Sequence, residues 1–159
     1  MKTKLTKLEV YEKAVKLFES GDYKKAENLY DKILEKDPLH ASTLHAKGVL
    51  LRSKNEFHNS IDFLKKALEI NPKYLQYWLT LSDTYFRLDE FKLARKFIKD
   101  AKTFGHEDEK INTMNKLIND AISENISNSQ NFSIPNKETL TIDEAFRLAN
   151  DCYDTSQFR

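Results

Sequence analysis

The sequence predicts an all-α fold: a solenoid of antiparallel helix pairs, with a C-terminal capping helix and an extra tail helix. Three observations lead there. The chain matches itself at an offset of 34 residues. Within each period the apolar and small residues recur at the spacing of one helical face. Three Gly and three Pro in 159 residues are too few for the turns of a many-stranded β sandwich, and the glycines too few for a phosphate-cradling loop.

The offset aligns three units, 7–40, 41–74 and 75–108. Val10, Leu44 and Trp78 share a column; so do Ala14, Gly48 and Ser82, then Leu17, Leu51 and Tyr85, then Tyr23, Phe57 and Phe91. The second half of each unit aligns Ala26, Ser60 and Ala94, then Tyr30, Leu64 and Ile98, then Ile33, Ala67 and Ala101, and finally Pro38, Pro72 and His106. Positions 4, 8 and 11 of a unit lie on one helical face and positions 17, 20, 24 and 27 on another, so each unit reads as two helices. The small columns at positions 8 and 20 let two axes approach closely, and the aromatic column at 17 fills the space beside them.

Punctuation supports this division. Thr6-x-x-Glu9 is a capping box opening the first. Gly21, Asn55 and Asp89 stand where the first helix of each unit must turn; Asp37-Pro38 and Asn71-Pro72 close the second helices, a task given to Gly105 in the third unit.

These residues resemble the tetratricopeptide repeat (TPR) family, whose pattern has an aromatic at position 4, Leu at 7, Gly or Ala at 8, Tyr at 11, Gly at 15, Tyr at 17, Ala at 20, Tyr or Phe at 24, Ala at 27 and Pro at 32. The resemblance covers residues 7–108 in unbroken register. It implies a right-handed superhelix of helix pairs. The chain departs from the pattern at Lys13 and Lys47 in the Leu column, Ser60 in the Ala column and His106 in the Pro column. The two lysines are expected to lay their stems on apolar surface and keep their charges in water.

After the units, residues 107–126 read as a capping helix with Ile111, Met114, Leu117, Ile118, Ala121 and Ile122 on one face and Asn112, Asn115, Lys116, Asn119 and Asp120 on the other. Stacked units leave the apolar side of the last pair bare, and such a helix covers it. Glu107, Asp108 and Glu109 complement its dipole. Residues 127–139, rich in Asn and Ser, read as a flexible linker. Thr141-x-x-Glu144 then opens an amphipathic tail helix over 140–159, with Ile142, Ala145, Phe146, Leu148, Ala149 and Cys152 as the residues that would dock. This tail resembles the first helix of a further unit without its partner.

Little in the sequence points to catalysis. His40, His45, His58 and His106 lack the i, i+3 or i, i+4 spacing of a metal site, and no Cys cluster joins them, so no metal and no cofactor are expected. Cys152 lies on an apolar stripe and serves as a small hydrophobe. The absence of an acid, base and nucleophile grouping makes the chain a non-enzyme on this reading. Met1-Lys2-Thr3-Lys4-Leu5-Thr6-Lys7 has no signal-peptide core, and a lone Cys forms no staple, so the expected compartment is the cytoplasm. No apolar run is long enough for a bilayer, and no membrane role is expected.

Charge is uneven. Residues 1–106 carry 21 Lys and Arg against 15 Asp and Glu, residues 107–159 carry 5 against 10, and the net is +1. No basic run or aromatic-interleaved basic stripe stands out, so nucleic acid is not an expected partner.

The expected activity is protein or peptide binding. Positions 2, 5, 9 and 12 of each first helix form a second face, which in the family lines a concave groove. Here it holds Leu8, Tyr11, Val15 and Phe18, then Ser42, His45, Val49 and Arg52, then Gln76, Leu79, Asp83 and Phe86, flanked at position 13 by Glu19 and Arg87. Apolar surface of this extent marks a contact site, with a helix or extended peptide as the natural occupant. The family's chaperone-binding members grip a carboxylate terminus with Lys, Asn and Arg; the matching positions here are Tyr11, Val15, Ala46, Gln76 and Thr80, so a heat-shock chaperone tail is a poor fit. The tail at 140–159 could fill its own groove or, by exchange, that of a second copy in a homodimer. An alternative of another class makes the chain the N-terminal portion of a larger enzyme, because bacterial relatives resemble it in joining such repeats to glycosyltransferase, methyltransferase or sulfotransferase domains. The DNA beyond codon 159 would separate the two.

Overall fold

A computed structural model describes residues 5–131. Those residues form seven α-helices in order, α1 Lys7–Glu19, α2 Tyr23–Lys36, α3 Ala41–Ser53, α4 Phe57–Ile70, α5 Leu75–Phe86, α6 Phe91–Thr103 and α7 Glu109–Asn131, with no strand among them. The tail residues Ile142, Ala145, Phe146, Leu148, Ala149 and Cys152 lie outside the described residues.

Side-chain caps start α1, α2 and α3, whereas Glu56, Tyr74 and Glu90 stand before α4, α5 and α6 without a side-chain cap hydrogen bond. Glu9 N–H donates to Thr6 Oγ1 at 3.2 Å and Thr6 N–H to Glu9 Oε2 at 2.7 Å, the reciprocal box that starts α1. The Thr6 N–H, joined by the Thr6 hydroxyl at 2.9 Å, donates to the Glu9 carboxylate and holds it below its usual range. Asp22 caps α2 through Lys25 N–H, and His40 Nδ1 accepts from Thr43 N–H to cap α3. The turns after α1, α3, α5 and α6 each carry one left-handed residue: Gly21 (φ 82°), Asn55 (φ 62°), Asp89 (φ 58°) and Gly105 (φ 84°). Reversing the chain that tightly requires this backbone region, where Gly is free of strain and Asn and Asp are the tolerated substitutes.

Up to Ile122 the helices belong to one compact unit, built from the pairs α1/α2, α3/α4 and α5/α6, with α2 against α3 and α4 against α5. The first helices α1, α3 and α5 are also neighbours in sequence of units. One core cluster gathers Ala14, Ala26, Tyr30 and Leu50; the larger one runs from Leu44 and Leu64 through Trp78, Leu81 and Ile98 to Ile111 and Ile118 of α7. Full burial of each large aliphatic side chain contributes roughly 1.5–3 kcal/mol, and polar contacts between units, such as Lys47 to Asp31 and Arg52 to Asp83, add to this apolar term.

Three departures from the family pattern, Ser60, Lys47 and His106, find partners. Ser60 Oγ donates to the Gly48 carbonyl at 2.7 Å and Ser82 Oγ to the Ala94 carbonyl at 3.0 Å, both within helix pairs, so these buried hydroxyls are satisfied. Lys47 pairs with Asp31 of α2 and lies 4.8 Å from the centre of the Phe63 ring. His106, in the Pro column, faces the Pro72 carbonyl at 3.2 Å, and Trp78 Nε1 donates to the same oxygen at 2.7 Å.

Two expectations need correction at α7. The helix runs through residues 127–131, which the sequence reading assigned to a linker. Helix propagation adds one hydrogen bond per residue fixed, and Ser, Asn and Gln are only mildly unfavourable to it, so composition alone placed the break too early. The six apolar residues of α7 also do not share one role. Ile111 and Ile118 are fully buried, with Met114 and Ile122 packed beside them, whereas Leu117 is 52% exposed.

Candidate functional site

The first-helix face is half-buried along most of its length. Tyr11 and Phe18 pack on the smaller core cluster, Leu79 and Phe86 on the larger one; Val15, His45, Val49, Arg52 and Asp83 are half-buried, and Leu8, Ser42, Gln76 and Arg87 are exposed. The apolar side chains therefore do two things at once: they brace neighbouring helices and leave one edge toward solvent.

A polar network crosses this face. Asp83 Oδ2 accepts from Arg52 Nη1 and, at 3.0 Å, from Arg87 Nε, so two guanidiniums converge on one carboxylate oxygen. The Arg52 guanidinium is drawn below its ordinary range by burial and by Arg87, against the opposing effect of Asp83. His45 stacks on Tyr77 with 4.7 Å between ring centres, and its Nε2 lies 3.0 Å from Thr80 Oγ1, to which Gln76 Nε2 donates at 3.2 Å. Burial first, and the nearby Arg52 second, push the His45 imidazole down from 6.5 to about 4, so the ring is neutral at pH 7.

Two hollows open beside the network. The larger, of about 490 Å³, is lined by Arg52, Gln76, Leu79, Thr80 and Asp83 on one side and by Asp108 to Lys110, Thr113, Met114 and Leu117 on the other. The smaller, of about 280 Å³, is lined by Tyr11, Ser42, His45, Asn71, Tyr74, Gln76 and Tyr77. The structure thus joins Arg52, Gln76, Leu79 and Asp83 in one hollow and Tyr11, His45 and Gln76 in the other. It leaves Leu8, Val15, Phe18, Val49, Phe86 and Arg87 outside both.

Sequence reasoning missed the contribution of α7. Met114 and Leu117 were counted as covering residues, yet Leu117 stands about 100° around the helix from Ile118. That breadth of the apolar arc was the available signal: a helix that only covers a core needs a narrower stripe. Tyr74 and Tyr77 were missed because neither falls on positions 2, 5, 9 or 12.

Among the described residues no group of three or more His, Cys, Asp or Glu side chains is placed to hold a metal, and no helix is long and apolar enough to cross a membrane.

Helix hairpins of 34-residue period, stacked with their first helices side by side, define an all-α repeat protein. Residues 19–101, just over half of the sequence, match the family model described as anaphase-promoting complex, cyclosome, subunit 3, and the chain belongs to this family of TPR type. It is similar to the protein CTR9 homolog of Arabidopsis thaliana, 31% identical over 85 residues that make up 50% of this chain and 8% of that protein. The chain thus spans less than a tenth of the length of this curated relative. Among solved structures it is similar to the first TPR of Spaghetti (RPAP3) bound to an HSP90 peptide, SRMEEVD, with a TM-score of 0.67, 19% identity, and 74% of this chain and 93% of that one covered. The TPR2B domain of yeast Sti1 in complex with pHsp70 gives a TM-score of 0.65 at 17% identity, over 72% of this chain and 96% of that one. The likeness to these two structures is one of fold.

Proposed function

We propose that this chain is a non-catalytic protein-interaction scaffold whose first-helix groove receives a helix or extended peptide. The observation that carries the reading is the hollow of about 490 Å³ between α5 and the start of α7. It combines an apolar floor, Leu79, Met114 and Leu117, with charged groups at its rim, the mixture that peptide grooves use for affinity and orientation. Structures of the same fold, one bound to an HSP90 peptide and one in complex with pHsp70, support a protein or peptide segment as occupant. The chemistry of the occupant differs from theirs, because Tyr11, Val15, Ala46, Gln76 and Thr80 offer no Lys, Arg or Asn for gripping a carboxylate terminus.

In the finer form of this reading the occupant is the tail, 140–159, of the same chain or of a second copy, and localisation is cytoplasmic. The tail is amphipathic and acidic in sequence, which suits a groove in a basic body.

A peptide library displayed against the full-length chain, followed by Leu79→Glu, tests the main reading: capture should fail while helicity by circular dichroism is unchanged. Equal capture by the variant places binding elsewhere. For the tail, a chain ending at Ile126 should bind groove peptides more tightly than the full chain and, if copies exchange tails, fall to monomer mass. Equal mass and affinity would remove the tail from the account.

A further inference from the structure

The outer face of α6 differs from those of the other second helices. Lys92, Arg95, Lys96, Lys99 and Lys102 lie within an arc of about 120° and a length of about 15 Å, opposite the buried Ala94, Ile98 and Ala101. Four of the five are exposed and Arg95 is half-buried. Among the described residues none of the five makes an ion pair within 4.0 Å; Lys102 donates to the neutral Asn112 Oδ1 at 3.0 Å, so all five cations lack an anionic partner there. Asp100 is the only acidic residue of the helix.

Corresponding positions in the earlier units are balanced. Where α6 has Lys96 and Lys99, α4 has Asp62 and Lys65, and α2 has Asn28 and Asp31. Both α2 and α4 mix their signs along the outer face, with Glu27, Asp31 and Glu35 among the lysines of α2, and Asp62 and Glu69 beside Lys65 and Lys66 in α4. Ordinary solubility asks for interspersed signs. Same-sign cations at i, i+3, i+4 and i+7 repel and slightly weaken an isolated helix. Such an arrangement is explained by a partner that supplies the missing carboxylates.

We propose that the outer face of α6, centred on Lys92, Lys96 and Lys99, docks an acidic segment of a partner protein, with carboxylates at every third or fourth residue. The excess of positive charge in residues 1–106 is nearly offset by the acidic residues 107–159, for a net of +1, so the long-range field is weak and favours a partner matched to the stripe over a polyphosphate or an anionic membrane. Attraction here is local, made ion pair by ion pair along a stripe one helix wide. This surface is separate from the first-helix groove, and its partner can be bound while the groove is filled.

The test is fluorescence anisotropy of a labelled synthetic peptide, Glu at every fourth residue on an Ala background, titrated with the full-length chain at low salt. Three further probes are an oligothymidylate of equal charge, phosphatidylserine vesicles, and the same peptide with Gln for Glu. Binding of the Glu peptide alone, weakening as salt rises, is expected. Lys92→Glu, Lys96→Glu and Lys99→Glu together should cost at least about tenfold in affinity, and the three Gln replacements should fall between. Lys96→Glu alone, which disturbs least, should show a smaller loss, with the thermal midpoint confirming the fold. Leu79→Glu should leave this binding unchanged. Equal affinity of parent and reversed chains, loss of binding in Leu79→Glu, or tighter binding of oligothymidylate or vesicles than of the peptide, each overturns the proposal.

Discussion

The Ser60 hydroxyl donates to the Gly48 carbonyl at 2.7 Å, and this bond crosses the close contact of α3 with α4 at Gly48. A Cβ built on Gly48 would stand 2.7 Å from Leu64 Cγ and 3.3 Å from the Ser60 carbonyl oxygen. Leu64 is fully buried, so it has no free space into which to swing.

Gly48→Ala should therefore destabilise the fold by about 1–3 kcal/mol, the range for overpacking a filled core. A lower urea midpoint at unchanged slope is the measurement. Ser60→Ala keeps the close approach and loses one hydrogen bond, for about 1 kcal/mol; a larger loss from Ser60→Ala than from Gly48→Ala would refute the argument that close packing dominates here.

Asn55 and Asp89 hold left-handed backbone where the first unit has Gly21. Replacing each with Gly should raise stability, because the side-chain penalty of this region is about 1–2 kcal/mol and the added entropy of an unfolded Gly takes back only part of it. The double variant should melt a few degrees higher. Gly21→Ala should do the reverse, with strain as the cause, since its Cβ would meet open space.

Asp83 keeps the half-buried Arg52 compensated. Asp83→Ala leaves two guanidiniums facing each other, and the expected loss is about 1–3 kcal/mol, more than an exposed pair would give. Asp83→Ala combined with Arg52→Met should recover most of it. A double variant no better than the single would show that the ion pair has no special role.

His45 predicts how stability changes with pH. Its folded value of about 4 lies below the unfolded 6.5, so between these limits the unfolded chain binds the extra proton and stability falls with acidification. The contribution is complete above about pH 6.5 and is lost on the way to pH 4, by at most about 3 kcal/mol. Comparing urea midpoints of the parent and His45→Gln from pH 4 to 8 isolates it: the slope between 4 and 6.5 should be shallower in the variant. Parallel curves would mean that the ring already shares solvent protons.

Much of the fold was legible because it is periodic. The column of Ala14, Gly48 and Ser82 and the turn column of Gly21, Asn55 and Asp89 each state a requirement three times, and a steric rule repeated at fixed spacing is hard to mistake. Features that occur once were harder. The end of α7 was set too early because Asn and Ser composition resembles a linker while helix propagation needs only mild propensity.

The sequence by itself determined the helix pairs, the capping box that opens the first of them and the faces along which they stack, since these follow from 3.6-residue periodicity and a few local conformations. Tertiary structure decided what each facing residue meets. Tyr11 and Leu79 share a face by spacing, yet one lines the smaller hollow and the other the larger. Leu117 became floor of a cavity and Ile118, its neighbour, became core. Arg52, Asp83 and Arg87 converge across α3 and α5 although 31 residues separate the first two. Spacing along a helix fixes direction, but only the packing of one helix on another fixes distance, and binding chemistry depends on distance.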